Sequence, residues 1–213
     1  MTNTKAILFD LDGTLVDTVN LIVAGFQQVT LAHLGYQIAP AAVKATIGRP
    51  LQAVFEELHP GWGERLTASY REFNLANHDV LIHPVAGVDA VLAELQARGL
   101  PLGVVTSKGQ PAAEMSLRRF DLSHYFSLLV TLDDVARPKP APDPLLLGCA
   151  RFGLQPAEVT YVGDAIHDII AARAAAMRVV AVTWGAGTAA EFAQYPPDHI
   201  ISHFAELLTL LSH

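Results

Sequence analysis

The stretch Phe9–Thr14, which reads FDLDGT, decides the fold because it places two carboxylates directly after a short apolar run, Ala6–Phe9. That run reads as a buried strand, and Asp10 and Asp12 come at its carboxyl end. Open α/β sheets bind their ligands at this end of their strands. Gly13 permits an unusual backbone turn, so both acids are able to face one crevice. We therefore expect an α/β sheet with an acidic site after its first strand.

The remainder of the chain follows the same pattern. After about residue 84, β-branched runs alternate with segments of helical period, as in a parallel sheet flanked by helices. Further strands are predicted at Leu102–Thr106, Ser127–Thr131, Val159–Val162, Val179–Val182 and near Ile200, and helices at Val88–Arg98, Pro111–Phe120, Pro144–Phe152 and Ile166–Met177. This alternation predicts a Rossmann-like, doubly wound parallel sheet.

A long insertion separates the first two predicted strands. The distance is over 90 residues, far more than one crossover helix requires, and residues 18–81 read as helical throughout. The insertion begins just after Val16 and Asp17, and proline and glycine near residues 83–87 mark the return to the sheet. We predict an α/β core catalytic domain of residues 1–17 and 82–213 and a helical cap domain of residues 18–81.

The composition excludes several classes of protein. With 51% apolar and 16% charged residues among 213, the chain has ample material for a buried core. The net charge of −7 and only 14 Lys and Arg argue against a nucleic-acid partner. Cys149 is alone, which excludes an intramolecular disulfide. Because Asp10 and Asp12 interrupt the first apolar run and no other is long enough to span a bilayer, we expect no membrane partner and a cytoplasmic location.

Three further groups of polar residues follow later strands. Thr106 and Ser107 end the second strand, Lys139 follows the third between two prolines, and Asp164 and Asp168 follow the fourth. Taken singly, these residues have ordinary explanations as helix caps or a solvated cation. Their occurrence in order at successive strand ends, together with the acidic stretch, instead predicts a shared site.

The chemistry of such a site is that of phosphoryl transfer. A carboxylate is able to attack phosphorus, and a second carboxyl group is able to protonate the leaving oxygen and then activate water. Four neighbouring carboxylates, those of Asp10, Asp12, Asp164 and Asp168, require compensating positive charge. Oxygen ligands favour Mg²⁺, so the sequence predicts a magnesium site beside Lys139.

These residues resemble the haloacid dehalogenase superfamily, and the resemblance covers essentially the whole chain. Its four motifs match residues 10–14, Thr106, Lys139 and the run from Gly163 to Asp168. The same superfamily places a helical cap between its first and second motifs. The resemblance therefore implies the same fold and insertion that the spacing predicts.

The resemblance also implies a role for each matched residue. Asp10 would be the nucleophile and Asp12 the general acid and base, while Thr106 and Lys139 would anchor the phosphate. The ligands of Mg²⁺ would be the Asp10 side chain, the main-chain carbonyl of Asp12 and Asp164. Asp168 would support these residues without binding the ion directly.

The reaction class follows in part from Asp12. The branches of the superfamily that cleave carbon–halogen or carbon–phosphorus bonds lack this second aspartate, whereas this chain has it. The resemblance favours a phosphatase for a small phosphorylated substrate, similar to phosphoglycolate phosphatases, with a related pyrophosphatase branch as the alternative. A non-catalytic phosphate-binding regulatory protein is the third hypothesis. Further substrate contacts are expected from Ser107, Lys108 and Arg49. Both a monomer and a homodimer remain open.

Overall fold

The strands of this computed structural model form two sheets, and the structure describes residues 4–211. Within those residues the strands are β1 (Ala6–Phe9), β2 (Val16–Asp17), β3 (His83–Pro84), β4 (Leu102–Val105), β5 (Leu128–Val130), β6 (Val159–Gly163), β7 (Arg178–Val182) and β8 (His199–Ile201). Six of them form a parallel sheet in the order β5-β4-β1-β6-β7-β8. The chain winds outward from β1 to β5 and then returns to β6, so the strand order reverses beside β1. A ligand crevice is expected at this reversal.

The helices of residues 4–211 confirm most of the predicted pattern. They are α1 (Val19–Leu34), α2 (Pro40–Lys44), α3 (Leu51–Leu58), α4 (Gly63–Leu81), α5 (Val88–Ala97), α6 (Gln110–Arg119), α7 (Asp143–Phe152), α8 (Ile166–Ala174), α9 (Ala189–Gln194) and α10 (Glu206–Leu210). Helix α8 ends three residues before the predicted Met177, and Ala176 just beyond it has a positive φ of 56°. Among the described residues, no helix combines the length and apolar character that a bilayer crossing requires.

Alternate residues of β1 face the two sides of the main sheet. Ile7 and Phe9 pack into a core shared with α5 and α6, whereas Ala6 and Leu8 pack into a second core with α7 and α8. All four side chains are fully buried. Complete burial of a large apolar side chain stabilises the fold by about 1.5–3 kcal/mol. The central strand is therefore held on both faces, which fixes the residue that follows it.

Helices α1 to α4 have an apolar core of their own. The rings of Phe26 and Phe55 stack with centroids 4.5 Å apart, and Tyr70 packs edge-on against both. Where the chain enters and leaves this helical segment, β2 and β3 pair as an antiparallel ladder that joins Val16 to Pro84 and Asp17 to His83. The division into a core domain and a cap domain stays a prediction, with its boundaries at this ladder.

Candidate active site

The site lies at the carboxyl edge of the parallel sheet. Asp10 follows β1, Thr106 follows β4 and Asp164 follows β6, while Lys139 comes from the loop after β5. The backbone N–H of Asp10 donates to Val162 O at 2.8 Å, so the sheet bonding continues into the site. All four of the side chains that the sequence singled out here are buried. Close packing of buried side chains therefore restricts the positions of all four.

Lys139 lies at the centre of a buried polar cluster. Its Nζ is 2.9 Å from Asp10 Oδ1 and 2.7 Å from Asp168 Oδ1, and it donates a third hydrogen bond to the Tyr161 hydroxyl at 2.9 Å. Burial alone lowers the pKa of Lys139, but the carboxylates of Asp10 and Asp168 outweigh it and hold the pKa above the usual lysine value. The ammonium group therefore stays charged.

Sequence reasoning missed Tyr161, which lies within β6 among apolar residues and reads there as core. Its hydroxyl donates to Asp168 Oδ1 at 3.0 Å and also lies 3.2 Å from Val105 O. A buried tyrosine hydroxyl needs a partner, and that requirement was the available signal. Tyr161 thus helps to orient both Lys139 and Asp168.

Asp164 is enclosed by backbone from two loops. Its carboxylate accepts hydrogen bonds from the Thr14 hydroxyl at 3.1 Å and from the Ala186 N–H at 2.7 Å. A Cβ built on Gly13 would lie 2.4 Å from Asp164 Oδ2, and one built on Gly185 would lie 2.2 Å from the same atom. Glycine is therefore required on both sides of this carboxylate.

The three buried carboxylates fit a divalent cation. One oxygen each from Asp10, Asp164 and Asp168 lies within 4.8 Å of the others. Burial raises the pKa of Asp10 to about 7, with Lys139 lowering it and Asp168 raising it. Burial and the two neighbouring carboxylates also raise the pKa of Asp164 well above its usual range. Three carboxylates face one lysine here, so a further positive charge would balance the site, and oxygen donors of this kind suit Mg²⁺.

Asp168 differs from the other two carboxylates because its oxygens accept three hydrogen bonds, whereas those of Asp164 accept two and those of Asp10 accept one. Oδ1 accepts from Lys139 and Tyr161, and Oδ2 accepts from the Ala165 N–H at 3.0 Å. Asp10 and Asp164 accept fewer bonds and keep free acceptor positions, so they are the side chains that would hold the ion. Asp168 instead contacts Lys139 at 2.7 Å, and its supporting role at the site stays a prediction.

Asp12 lies beside this cluster and points into a cavity. Its Oδ1 is 2.6 Å from the Nζ of Lys108, which also lies 3.4 Å from Ser116 Oγ. Ser116 in turn hydrogen-bonds to His78 Nε2 of α4 at 3.0 Å. The sequence did not reveal this chain of contacts, since it joins residues far apart in the chain. The assignment of the Asp12 main-chain carbonyl to the metal stays a prediction.

The cavity has a volume of about 540 Å³ and lies between the sheet edge and the helical segment 18–81. Asp10 and Asp12 line one end of it together with Thr106. Ile22 and Phe26, both of α1, line it from the helical segment. A substrate in this space would therefore contact the acidic residues on one side and the helical segment on the other.

Two expected substrate contacts have protein partners of their own. Ser107 lines the cavity, and its hydroxyl donates to Gly48 O at 2.7 Å, which ties the sheet edge to the helical segment. Arg49 also lines the cavity and forms an ion pair with Glu57. Direct contact of either side chain with a substrate stays a prediction.

Gly13→Ala is expected to disturb Asp164 through its new methyl group. Gly13 has a φ of 81°, so alanine there also carries the left-handed backbone penalty of about 1–2 kcal/mol. Gly99→Ala is the matched control, because Gly99 has a φ of 74° and nothing within 4 Å of an added Cβ. Gly13→Ala should lower both the melting temperature and the affinity for Mg²⁺ more than Gly99→Ala does. Equal decreases in the two variants would contradict the crowding at Asp164.

Comparison with known proteins agrees with this geometry. The family model described as haloacid dehalogenase-like hydrolase matches residues 7–182. Pyrophosphatase PpaX of Bacillus velezensis is 36% identical over 203 residues, covering 95% of this chain and 94% of that protein. The PpaX of Bacillus cereus is 35% identical over 208 residues, covering 98% of this chain and 96% of that protein.

Solved structures give the same result. A haloacid dehalogenase-like family hydrolase from Streptococcus pneumoniae superposes with a TM-score of 0.87 at 27% identity, covering 99% of this chain and 100% of that one. A protein described as a predicted phosphoglycolate phosphatase, from Haemophilus somnus, also gives 0.87, at 28% identity and 99% coverage of both chains. The chain belongs to the haloacid dehalogenase-like hydrolase family.

Proposed function

We propose that this hydrolase is a Mg²⁺-dependent phosphatase that hydrolyses a small phosphorylated metabolite, in the manner of a phosphoglycolate phosphatase. The observation that carries the proposal is the position of Asp10, whose buried carboxylate contacts Lys139 and lines the end of a substrate-sized cavity. Asp12 lines the same end, within the reach of a leaving group bound there. The Asp10 carboxylate is the nucleophile in this proposal.

In the first step, an Asp10 carboxylate oxygen attacks phosphorus, and the bond between phosphorus and the leaving oxygen breaks. Asp12 gives its proton to that oxygen, so the product leaves as an alcohol. Lys139 keeps its positive charge beside Asp10 throughout. Asp10 and Asp164 would hold Mg²⁺, which would supply further positive charge beside the phosphoryl group.

In the second step, water attacks the phosphorus of the aspartyl-phosphate. Asp12, now ionised, accepts a proton from that water, and the bond between phosphorus and the Asp10 oxygen breaks. Inorganic phosphate leaves, and both aspartates return to their starting protonation states. Lys108, 2.6 Å from Asp12, holds that carboxylate at the cavity during the cycle.

A pyrophosphatase is the second candidate, favoured by the names of the PpaX relatives at 36% and 35% identity. The same residues would act in the same roles, with phosphate as the leaving group. Phosphate release from phosphoglycolate, pyrophosphate, sugar phosphates and nucleotides, each with and without Mg²⁺, separates the two candidates by kcat/KM. Absence of turnover on every compound, with Mg²⁺ binding retained, would favour a non-catalytic phosphate-binding protein instead.

Removal of divalent metal is expected to lower phosphate release to the rate of enzyme-free buffer. Three buried carboxylates with one lysine leave negative charge that repels the substrate phosphate. Dialysis against EDTA and re-addition of Mg²⁺ check the effect, and recovery of the rate is expected.

The matched binding measurement is calorimetric titration of Mg²⁺ into the wild type and Asp164→Asn. The variant is expected to bind Mg²⁺ at least about tenfold more weakly. Full turnover after exhaustive chelation would contradict a metal-dependent reaction.

A further inference from the structure

The cavity wall has one cation without a protein anion beside it, counting the residues from 4 to 211. Three cationic side chains line the cavity: Arg49, Lys108 and Arg71. Arg49 is paired with Glu57, and Lys108 with Asp12. Arg71 has neither a carboxylate partner nor a hydrogen bond to any described residue. Its charge is therefore available to a ligand.

Arg71 belongs to a face of α4 that borders the cavity. Tyr70, Arg71, Asn74 and Leu75 all line it, and their spacing places them on one side of the helix. The pKa of Tyr70 is raised mainly by burial and, to a smaller extent, by the Asp12 carboxylate. This face of α4 therefore lies within electrostatic reach of Asp12. Helix α4 thus presents Arg71 and Asn74 to the same cavity that Asp10 and Asp12 line.

Asn74 adds a second donor on this face. The residue is only 8% exposed. Its Nδ2 makes one long hydrogen bond, 3.4 Å to the Tyr70 hydroxyl, which leaves the second amide hydrogen without an acceptor among the described residues. Buried amide groups normally find partners, so a ligand acceptor in the cavity is the natural complement.

We infer that Arg71 and Asn74 form an anion subsite on α4 that binds a second anionic group of the substrate, apart from the phosphoryl group that Asp10 receives. This inference rests on the proposed function and names its substrate class: a compact phosphate with a second phosphoryl or carboxylate group. The planar guanidinium suits two oxygens of either group. Asp10 and Asp12 carry their negative charge at the sheet edge of the cavity and disfavour a second anion there.

Arg71→Met tests the subsite by comparing substrates with and without a second anion. For pyrophosphate and phosphoglycolate, KM is expected to rise about 10- to 100-fold, the range of a lost charge-assisted hydrogen bond. For p-nitrophenyl phosphate, which has no second anionic group, kcat and KM are expected to stay near the wild-type values. Arg71→Lys should recover part of the loss, and Asn74→Leu should give a smaller change in the same direction.

Arg65→Met is the matched control on the same helix. The guanidinium of Arg65 lies over the Trp62 ring, 4.8 Å from its centroid, and does not line the cavity. This variant should leave every KM unchanged. The subsite would be overturned if Arg71→Met left every KM unchanged, as Arg65→Met should. It would also be overturned if Arg71→Met raised the KM of all three substrates by the same factor.

Binding distinguishes failure of the subsite from failure of the proposed function. Calorimetric titration of pyrophosphate in Mg²⁺ buffer into Asp10→Asn, with and without Arg71→Met, does not depend on turnover. Weaker binding with Arg71→Met supports the subsite even where the assigned nucleophile is wrong. Equal binding of pyrophosphate by Asp10→Asn with and without Arg71→Met overturns the subsite. The loss of activity in Asp10→Asn would still support the proposed function in that case.

Discussion

Asp10→Asn is expected to lower Mg²⁺-dependent phosphate release by at least about 10⁴-fold, the scale on which loss of a nucleophile acts. The amide keeps the size of the carboxylate but is a poor nucleophile, and it faces Lys139 Nζ, which is 2.9 Å from the native oxygen. Steady-state release from the best substrate of the panel measures the effect. Thermal unfolding checks that the variant is folded.

Asp133→Asn is the control for the general effect of removing one carboxylate from the cavity lining. Asp133 also lines the cavity, and its Oδ2 accepts a hydrogen bond from the Gln110 N–H at 2.8 Å. We expect its rate to stay within a few fold of the wild type. Full turnover by Asp10→Asn would show that another group attacks phosphorus.

Lys139→Met is expected to have the largest effect on stability. Removing this cation leaves Asp10 and Asp168 buried without their partner, and breaking a buried pair in this way costs about 3–5 kcal/mol. Activity should fall by about 10²- to 10³-fold, as for loss of one group that stabilises transition-state charge. Denaturant unfolding and phosphate release measure the two effects separately.

Lys108→Met provides the contrast, because Lys108 and Asp12 are partly exposed, at 12% and 16%. Its loss should cost less than the loss of Lys139, because Lys108 and Asp12 keep contact with water and Lys139 and its partners do not. The double variant Lys139→Met with Asp10→Asn is expected to recover part of the stability, because one buried charge is removed along with its partner. Equal unfolding free energies for Lys139→Met and Lys108→Met would contradict the central position of Lys139.

Most of the sheet could be predicted because its strands are short runs of apolar, often β-branched residues. The predicted bounds of β1 match the structure, and the later strands differ by a residue or two. The parallel order then explains why Asp10, Thr106 and Asp164 meet, since the carboxyl ends of neighbouring strands share one edge. Helices α9 and α10 were missed because segments of six and five residues are too short to show a helical period.

The parts of the site that could not be predicted depend on tertiary contacts. Asp12 and Lys108 meet across 96 positions of sequence, and no local pattern marks them as a pair. Arg71 and Asn74 lie in a helix whose orientation over the sheet edge follows from the packing of four helices. Asn74 did carry a signal, as a polar residue on the buried side of α4. Periodicity identifies such a position but not the cavity it faces.

The most direct test of the proposed mechanism is chemical trapping of the phosphoenzyme. Acid quenching during turnover, reduction with borohydride and peptide mass spectrometry would convert an aspartyl-phosphate to homoserine at the residue that carried it. We expect homoserine at position 10, dependent on substrate and Mg²⁺ and absent from Asp10→Asn. Homoserine at another aspartate, or none in an enzyme quenched during rapid turnover, would contradict Asp10 as the nucleophile.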